Sequence, residues 1–203
     1  MFIQIIQGKC SRQDELRALT DRWLEEIAPG ADGWLGGTYG FTDDGVCVAV
    51  VRFESRELAM ANSARPEQSA WWAQMEPLFD GPVEFHDADR VTLMLDGGSD
   101  DAGFVQVIRG KVDDPAALES GIHEMESMLH EARPEIIGAT VAIEDDGTFI
   151  ETVSFTDEAA AREGEAKAMA PTGALADAMR SFDQHAHDLQ YLDLHHPWFA
   201  SKR

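Results

Sequence analysis

Two spacings of apolar residues alternate along the chain. Residues 2–7, FIQIIQ, are rich in β-branched side chains and alternate with a period of two, which predicts a strand. The spacing then lengthens: Leu16, Leu19, Trp23 and Ile27 fall on one helical face, with Ser11 expected as the cap and Asp14 three residues on. PGADGW at 29–34 turns the chain, and a Gly-rich strand is expected at about 35–41. Asp43-Asp44-Gly45 signals a tight hairpin, followed by a strand over 46–53. Ser55 is placed to cap a second helix, Pro66 opens a further helical stretch carrying Trp71, Trp72, Met75, Leu78 and Phe79, and a last strand is predicted over about 83–94.

The whole pattern then repeats. FIQIIQGK at 2–9 and FVQVIRGK at 104–111 agree at five of eight positions, and two of the three differences are Ile to Val. The same offset of 102 pairs Leu16 with Leu118, Gly36 with Gly138, Thr38 with Thr140, Asp43-Asp44-Gly45 with Asp145-Asp146-Gly147, and Phe53 with Phe155. Asp114 caps the repeated helix with Pro115 at its first position, and Leu118, Ile122, Met125 and Leu129 repeat the stripe. Asp157 stands where Ser55 does. Near the end the offset slips to 101, so that His86-Asp87 meets His187-Asp188 and a final strand is expected over 186–194. A period near 100 residues implies two domains rather than a solenoid of short units. The expected division is 1–98, a linker at 99–103 within the Gly- and Asp-rich run LDGGSDDAG, and 104–203.

The order β-α-β-β-α-β is the ferredoxin-like unit, an α+β arrangement with both helices on one face of an antiparallel sheet. The other face must also be covered. Two tandem sheets paired face to face, as an intramolecular α/β barrel around a lumen, would satisfy that. The Gly138-Ala139 pair after a helix, the Asp-Gly hairpins, the junction Phe53-Glu54-Ser55-Arg56-Glu57-Leu58-Ala59 and the Arg65-Pro66-Glu67 segment resemble the dimeric α/β-barrel superfamily. This group includes antibiotic-biosynthesis monooxygenases and heme-degrading monooxygenases. The resemblance covers nearly the whole chain, once per half, and implies fold more strongly than activity. Relatives made of one unit dimerise, so a duplicated chain is viable as a monomer that imitates a dimer. Further association into homo-oligomers is left open.

Composition removes several function classes. A formal net charge of −22 argues against nucleic acid or an anionic membrane as partner. No apolar run approaches the roughly 20 residues that cross a bilayer, and the short apolar start lacks the flanks of a signal peptide, so a cytoplasmic protein is expected. Cys10 and Cys47 form no disulfide framework and read as small buried hydrophobes. There is no GxGxxG, P-loop or GxSxG motif.

The candidate chemistry is sparse. Alternation assigns Ile3 and Ile5, and Val105 and Val107, to the helix-packed face, leaving Phe2, Gln4 and Ile6, with Phe104, Gln106 and Ile108, on the lumen side. Gln4 and Gln106 are either structural amides or groups that orient a ligand. By the resemblance, Phe53 and Phe155 stand where heme-degrading relatives carry a Trp facing the ligand. Glu151 replaces Ala49 on the same strand face, and in an apolar lumen it would have a raised pKa and act as general acid or base, whereas on the opposite face it is simply solvated. His86 is a second candidate for proton transfer. Trp71 and Trp72, opposite Gly173 and Ala174 in the second half, either wall a pocket or fill a core. Asn62 and Arg65 can hydrogen-bond a ligand carbonyl or carboxylate. His185, His187, His195 and His196 cluster near the end, but their spacing matches no zinc signature and no metal is expected. Heme is not expected either, because the family's heme-ligating His lacks a secure counterpart.

Three functions fit. One is a cofactor-independent monooxygenase-like enzyme acting on an apolar, aromatic or polyketide-like substrate. The second is a module that binds a small apolar ligand without chemistry. The third is a duplicated scaffold whose interior is packed shut.

Overall fold

The computed structural model describes residues 1–168 and 185–201. The contrast of Trp71 and Trp72 with Gly173 and Ala174 falls outside the described residues. Two compact units emerge, Met1–Asp89 with Trp198–Arg203 and Arg90–Pro197. The segment 99–103, expected as the linker, lies inside the second unit.

The first unit contains β1 (Phe2–Lys9), α1 (Gln13–Glu26), β2 (Trp34–Phe41), β3 (Val46–Phe53), α2 (Arg56–Ser63), α3 (Pro66–Met75) and β4 (Glu84–Ala88). The second contains β5 (Arg90–Met94), β6 (Phe104–Val112), α4 (Pro115–Ala132), β7 (Ile136–Ile143), β8 (Thr148–Phe155), α5 (Glu158–Ala168) and β9 (Ala186–Leu194). The last strand, β10 (Trp198–Ser201), belongs to the first unit. The two sheets are antiparallel, with orders β10-β2-β3-β1-β4 and β5-β7-β8-β6-β9. No helix among the described residues is long and apolar enough to cross a membrane.

Most local signals act as expected. Ser55 Oγ accepts from the Leu58 amide, Asp157 from Ala160, and Asp114 from both Ala116 and Ala117, each satisfying amides at a helix start that lack an intrahelical partner. Gly45 and Gly147 take φ of 80° and 81° in the two hairpins, a conformation that favours glycine. Ser11 differs. Its Oγ donates to Asp80 Oδ1 at 2.9 Å and its amide to Asp80 Oδ2 at 2.7 Å, so α1 starts without a side-chain cap.

The strand expected over 83–94 is two strands. It breaks at Asp89, so that β4 borders β1 while β5 borders β7 in the other sheet. In the same way β9 pairs with β6, and β10 then pairs with β2. Each sheet therefore gains a fifth strand beyond the ferredoxin-like four. One repeated glycine makes room for it. A Cβ on Gly36 would run into the Ala200 carbonyl, and one on Gly138 into the Gly97 carbonyl.

The expected strand faces are reversed. Phe2 packs with Trp23, Ile27 and Phe53, and Phe104 packs with Leu118 and Ile122, so Phe2, Gln4 and Ile6 and their repeats lie under the helices. Ile3, Ile5, Val105 and Val107 take the opposite face and are each at most 1% exposed. With both faces buried, apolar alternation carries no sign of which face is which. Gln4 is tolerated under the helices because Asp87, its cross-strand partner on β4, accepts from it.

Candidate functional site

The first unit holds a cavity of about 90 Å³ between its sheet and its helices. That is several times the roughly 15 Å³ one water requires. The floor comes from the cross-strand rows Gln4–Val51–Gly37 and Ile6–Ala49–Tyr39–Trp198. Ala49 is small, and Gly37 is covered by the Tyr39 ring. The α1 stripe of Leu16, Thr20 and Trp23 lines one side, and Ala59, Asn62 and Ser63 of α2 and Gln68, Trp71, Trp72 and Met75 of α3 line the rest. Large rings above the small floor at Ala49 leave the space.

Those rings form a chain. Trp23 meets Trp34 edge-on at 5.4 Å between centroids and Trp71 at 6.2 Å, Trp71 meets Trp72 at 6.1 Å, and Trp72 meets Phe85 at 5.4 Å. Trp71 Nε1 donates to the Leu19 carbonyl at 2.9 Å and Trp23 Nε1 to Gln68 Oε1 at 2.6 Å, which fixes both rings.

A second aromatic group closes the β10 side. Tyr39 and Trp198 stack at 5.7 Å with planes 21° apart, Phe41 lies 5.4 Å from Trp198, and the Arg17 guanidinium sits 4.9 Å over the Trp198 ring. Tyr39 lies along its own strand with its hydroxyl over Gly37, where a Cβ would strike it. Tyr39 is 6% exposed, and burial holds its phenol well above its ordinary pKa. Among the described residues the buried Trp198 Nε1 has no hydrogen-bond partner. Burial also pushes the Cys47 thiol up to about 12, so it stays protonated.

Of the sequence candidates, Gln4, Phe53, Asn62, Trp71 and Trp72 line this one cavity. Asn62 accepts from Arg65 Nη1 at 3.0 Å and donates to Gln68 at 3.4 Å, while Arg65 also reaches the Ile27 carbonyl at 3.2 Å. Arg65 thus braces Asn62 and the α2–α3 junction. His86 lies on the opposite sheet face beside Ile5, with Nε2 3.5 Å from a Glu84 oxygen. Its repeat counterpart is Leu192, because Val107, the counterpart of Ile5, pairs with Leu192. The expected match of His86 with His187 fails: β9 is longer, and His187 pairs with Lys111 beyond a register shift.

Gln106, Phe155 and Glu151 belong to the second unit. Glu151 lies on the helix-covered face between Ile108 and Val141, and burial pushes its carboxyl up to about 7. His195 Nδ1 lies 2.7 Å from Glu158 with its ring 5.7 Å from Phe104. Among the described residues no cluster of three or more His, Cys, Asp or Glu side chains is arranged to hold a metal.

Both glutamines sit in the same device. Gln4 Nε2 donates to Asp87 at 2.8 Å, Arg56 pairs with Asp87 at 3.7 Å, and Arg56 lies over Phe2 at 4.9 Å. Gln106 Nε2 donates to Asp193 at 2.9 Å, Arg162 pairs with Asp193, and Arg162 lies over Phe104 at 5.1 Å. Arg56 opens its helix, whereas Arg162 stands one turn further in, so the same grouping is reached from two helix positions. Tyr39 and Trp198 escaped the sequence reading. The signal for Tyr39 was the paired Gly37, but Trp198 becomes a neighbour only through the β10–β2 pairing.

No family model and no curated protein matches the chain. Solved structures do. A "putative monooxygenase" from Lactobacillus acidophilus superposes with a TM-score of 0.75 at 10% identity, covering 98% of this chain and 95% of its own. One of the same description from Fusobacterium nucleatum gives 0.73 at 10% identity, covering 99% and 94%. An anthrone oxidase-like protein gives 0.68 at 8% identity, covering 98% and 92%. At these identities the likeness is one of fold: the chain shares the whole-chain fold of these neighbours, built here from two repeated ferredoxin-like units.

Proposed function

We propose that the chain is a small-molecule enzyme of monooxygenase type whose planar, mostly apolar substrate occupies the cavity of the first unit. The observation that carries this reading is that cavity, with its aromatic roof and its few polar groups; at about 90 Å³ it is smaller than the roughly 300 Å³ of an ordinary ligand site, so a multi-ring substrate enters only if its walls part. The names of the whole-chain structural neighbours support it. The substrate would serve as its own reductant. At an activated ring CH₂, dioxygen supplies one atom to a new carbonyl, and the two hydrogens leave with the other atom as water. The protein's part is to hold the ring against Trp71 and Trp72, accept from a substrate hydroxyl through the Gln4 amide oxygen, and exclude bulk water.

Oxygen uptake tests this directly. Hydroxylated aromatic ketones and anthrones should consume one O₂ per carbonyl formed, and Ala49→Trp, which fills the floor, should abolish uptake. Uptake unchanged in Ala49→Trp would sink the reading. A binding protein without turnover is the second reading, and one observation favours it. No carboxylate, Lys or His lines the cavity among the described residues. Ligands that bind and come away unaltered, with no oxygen consumed, would decide for it.

A further inference from the structure

We propose that Tyr39 and Trp198 together form an acceptor-binding subsite, so that the cavity selects ligands carrying a carbonyl or anionic oxygen over hydrocarbons of the same shape. This rests on the reading of the cavity as a ligand site and specifies what it recognises. Both side chains line it. Trp198 is 9% exposed, and an indole N–H can only donate. Burial keeps Tyr39 a neutral phenol, which in that state is also a donor. Leaving the buried Trp198 donor without a partner in an apolar site is costly, and buried polar groups are nearly always satisfied. An oxygen acceptor brought by the ligand meets that need, and a purely apolar ligand does not.

Other features of the structure support the pair. The rings are held by their mutual stack, by Phe41 and by Arg17 over the indole face, so the donors are fixed before a ligand arrives. Gly37 is the one residue that lets the Tyr39 ring lie along the strand. In the second unit the equivalent positions are Ala139 beneath, Val141 for Tyr39 and Thr92 for Trp198, so neither the glycine nor the ring pair is repeated. Gln4 is oriented differently. Its amide nitrogen is taken by the Asp87 carboxylate, which turns its oxygen the other way. The donors are therefore on the β10 side of the cavity and a fixed acceptor on the β4 side.

A matched pair of one-ring probes tests the subsite: acetophenone, which carries the carbonyl, and ethylbenzene, which lacks it. Calorimetry on the full chain should show acetophenone binding more tightly by about tenfold. Tyr39→Phe should lower acetophenone affinity by about fivefold and leave ethylbenzene unchanged, which also reports that the variant is folded, and Trp198→Phe, which also trims the wall, should lower acetophenone affinity about fivefold more than that of ethylbenzene. Equal binding of the two probes by the parent protein, or an unaltered preference in both variants, overturns the subsite while leaving the cavity a ligand site. Binding of neither probe overturns the subsite and the proposed function together.

Discussion

The two units share a backbone and differ in what they do with the face under the helices. The first has Gly37, Tyr39, Ala49, Trp198 and Ala200 where the second has Ala139, Val141, Glu151, Thr92 and Met94. In the second unit Met94, Ala139, Val141 and Val153 join a single apolar core with Phe104 and Phe149. In the first unit, the small Ala49 beneath rings leaves a void lined by donors. The Gln–Asp–Arg–Phe grouping is present in both units with its Arg supplied from two different helix positions, while substitutions at a few strand positions separated a hollow unit from one with a half-buried carboxylate.

Four substitution experiments can break that comparison. The largest effect is expected from the repeated glycine. Gly138→Ala drives a Cβ into the Gly97 carbonyl beside β5 and should cost roughly 4 kcal/mol or prevent folding. Gly36→Ala meets the Ala200 carbonyl of β10 and the movable end of Arg52, at a φ of 144° that favours glycine, and should cost about 2 kcal/mol by displacing β10. Urea unfolding and hydrogen exchange at 199–201 measure both, and equal global losses would show that β10 is as integral as β5.

The second tests the half-buried carboxylate of Glu151. Glu151 keeps its proton up to about 7, against an ordinary value of 4.5, so the folded state binds more protons than the unfolded state between those limits. Stability should therefore fall as pH rises through that window, by up to about 2 kcal/mol once the partial exposure of the side chain is allowed for, and then level off. Glu151→Gln should remove this slope and be the more stable form at pH 8. Parallel unfolding profiles at pH 5 and pH 8 in the two proteins would contradict the burial of this group.

Third, Gly37→Ala should dislodge the Tyr39 ring and cost about 2 kcal/mol, with a change in the near-ultraviolet spectrum of the stacked rings. The converse change, Ala139→Gly, displaces no ring and should cost about 1.5 kcal/mol through backbone entropy and one lost buried methyl. Spectra that respond alike to both would mean that Tyr39 does not depend on the missing Cβ.

The smallest difference concerns the shared device. Asp193→Ala strands Gln106, which is buried, whereas Asp87→Ala strands the half-buried Gln4 and leaves Arg56 its bond to Asp89 at 2.5 Å. Expected losses are about 1.5 and about 0.5 kcal/mol, since water can replace the partner of the more accessible amide. A reversed order would mean that Gln4 is the more enclosed of the two.

Sequence alone determined the repeat, the ferredoxin-like order of elements, the Asp-Gly hairpins and most helix starts, because these depend on residues close together in the chain. It also singled out Gln4, Asn62, Trp71 and Trp72, since unusual side chains in a strand or helix stripe are visible locally. It could not tell which sheet face meets the helices: Phe2, Ile3, Ile5 and Ile6 are all apolar, and both faces are buried. Nor could it see that the run 83–94 breaks at Asp89, or that Trp198, 159 positions beyond Tyr39, completes the ring stack. Those features come from strand pairings between distant segments, and tertiary structure decided them because only pairing fixes which side chains share a row.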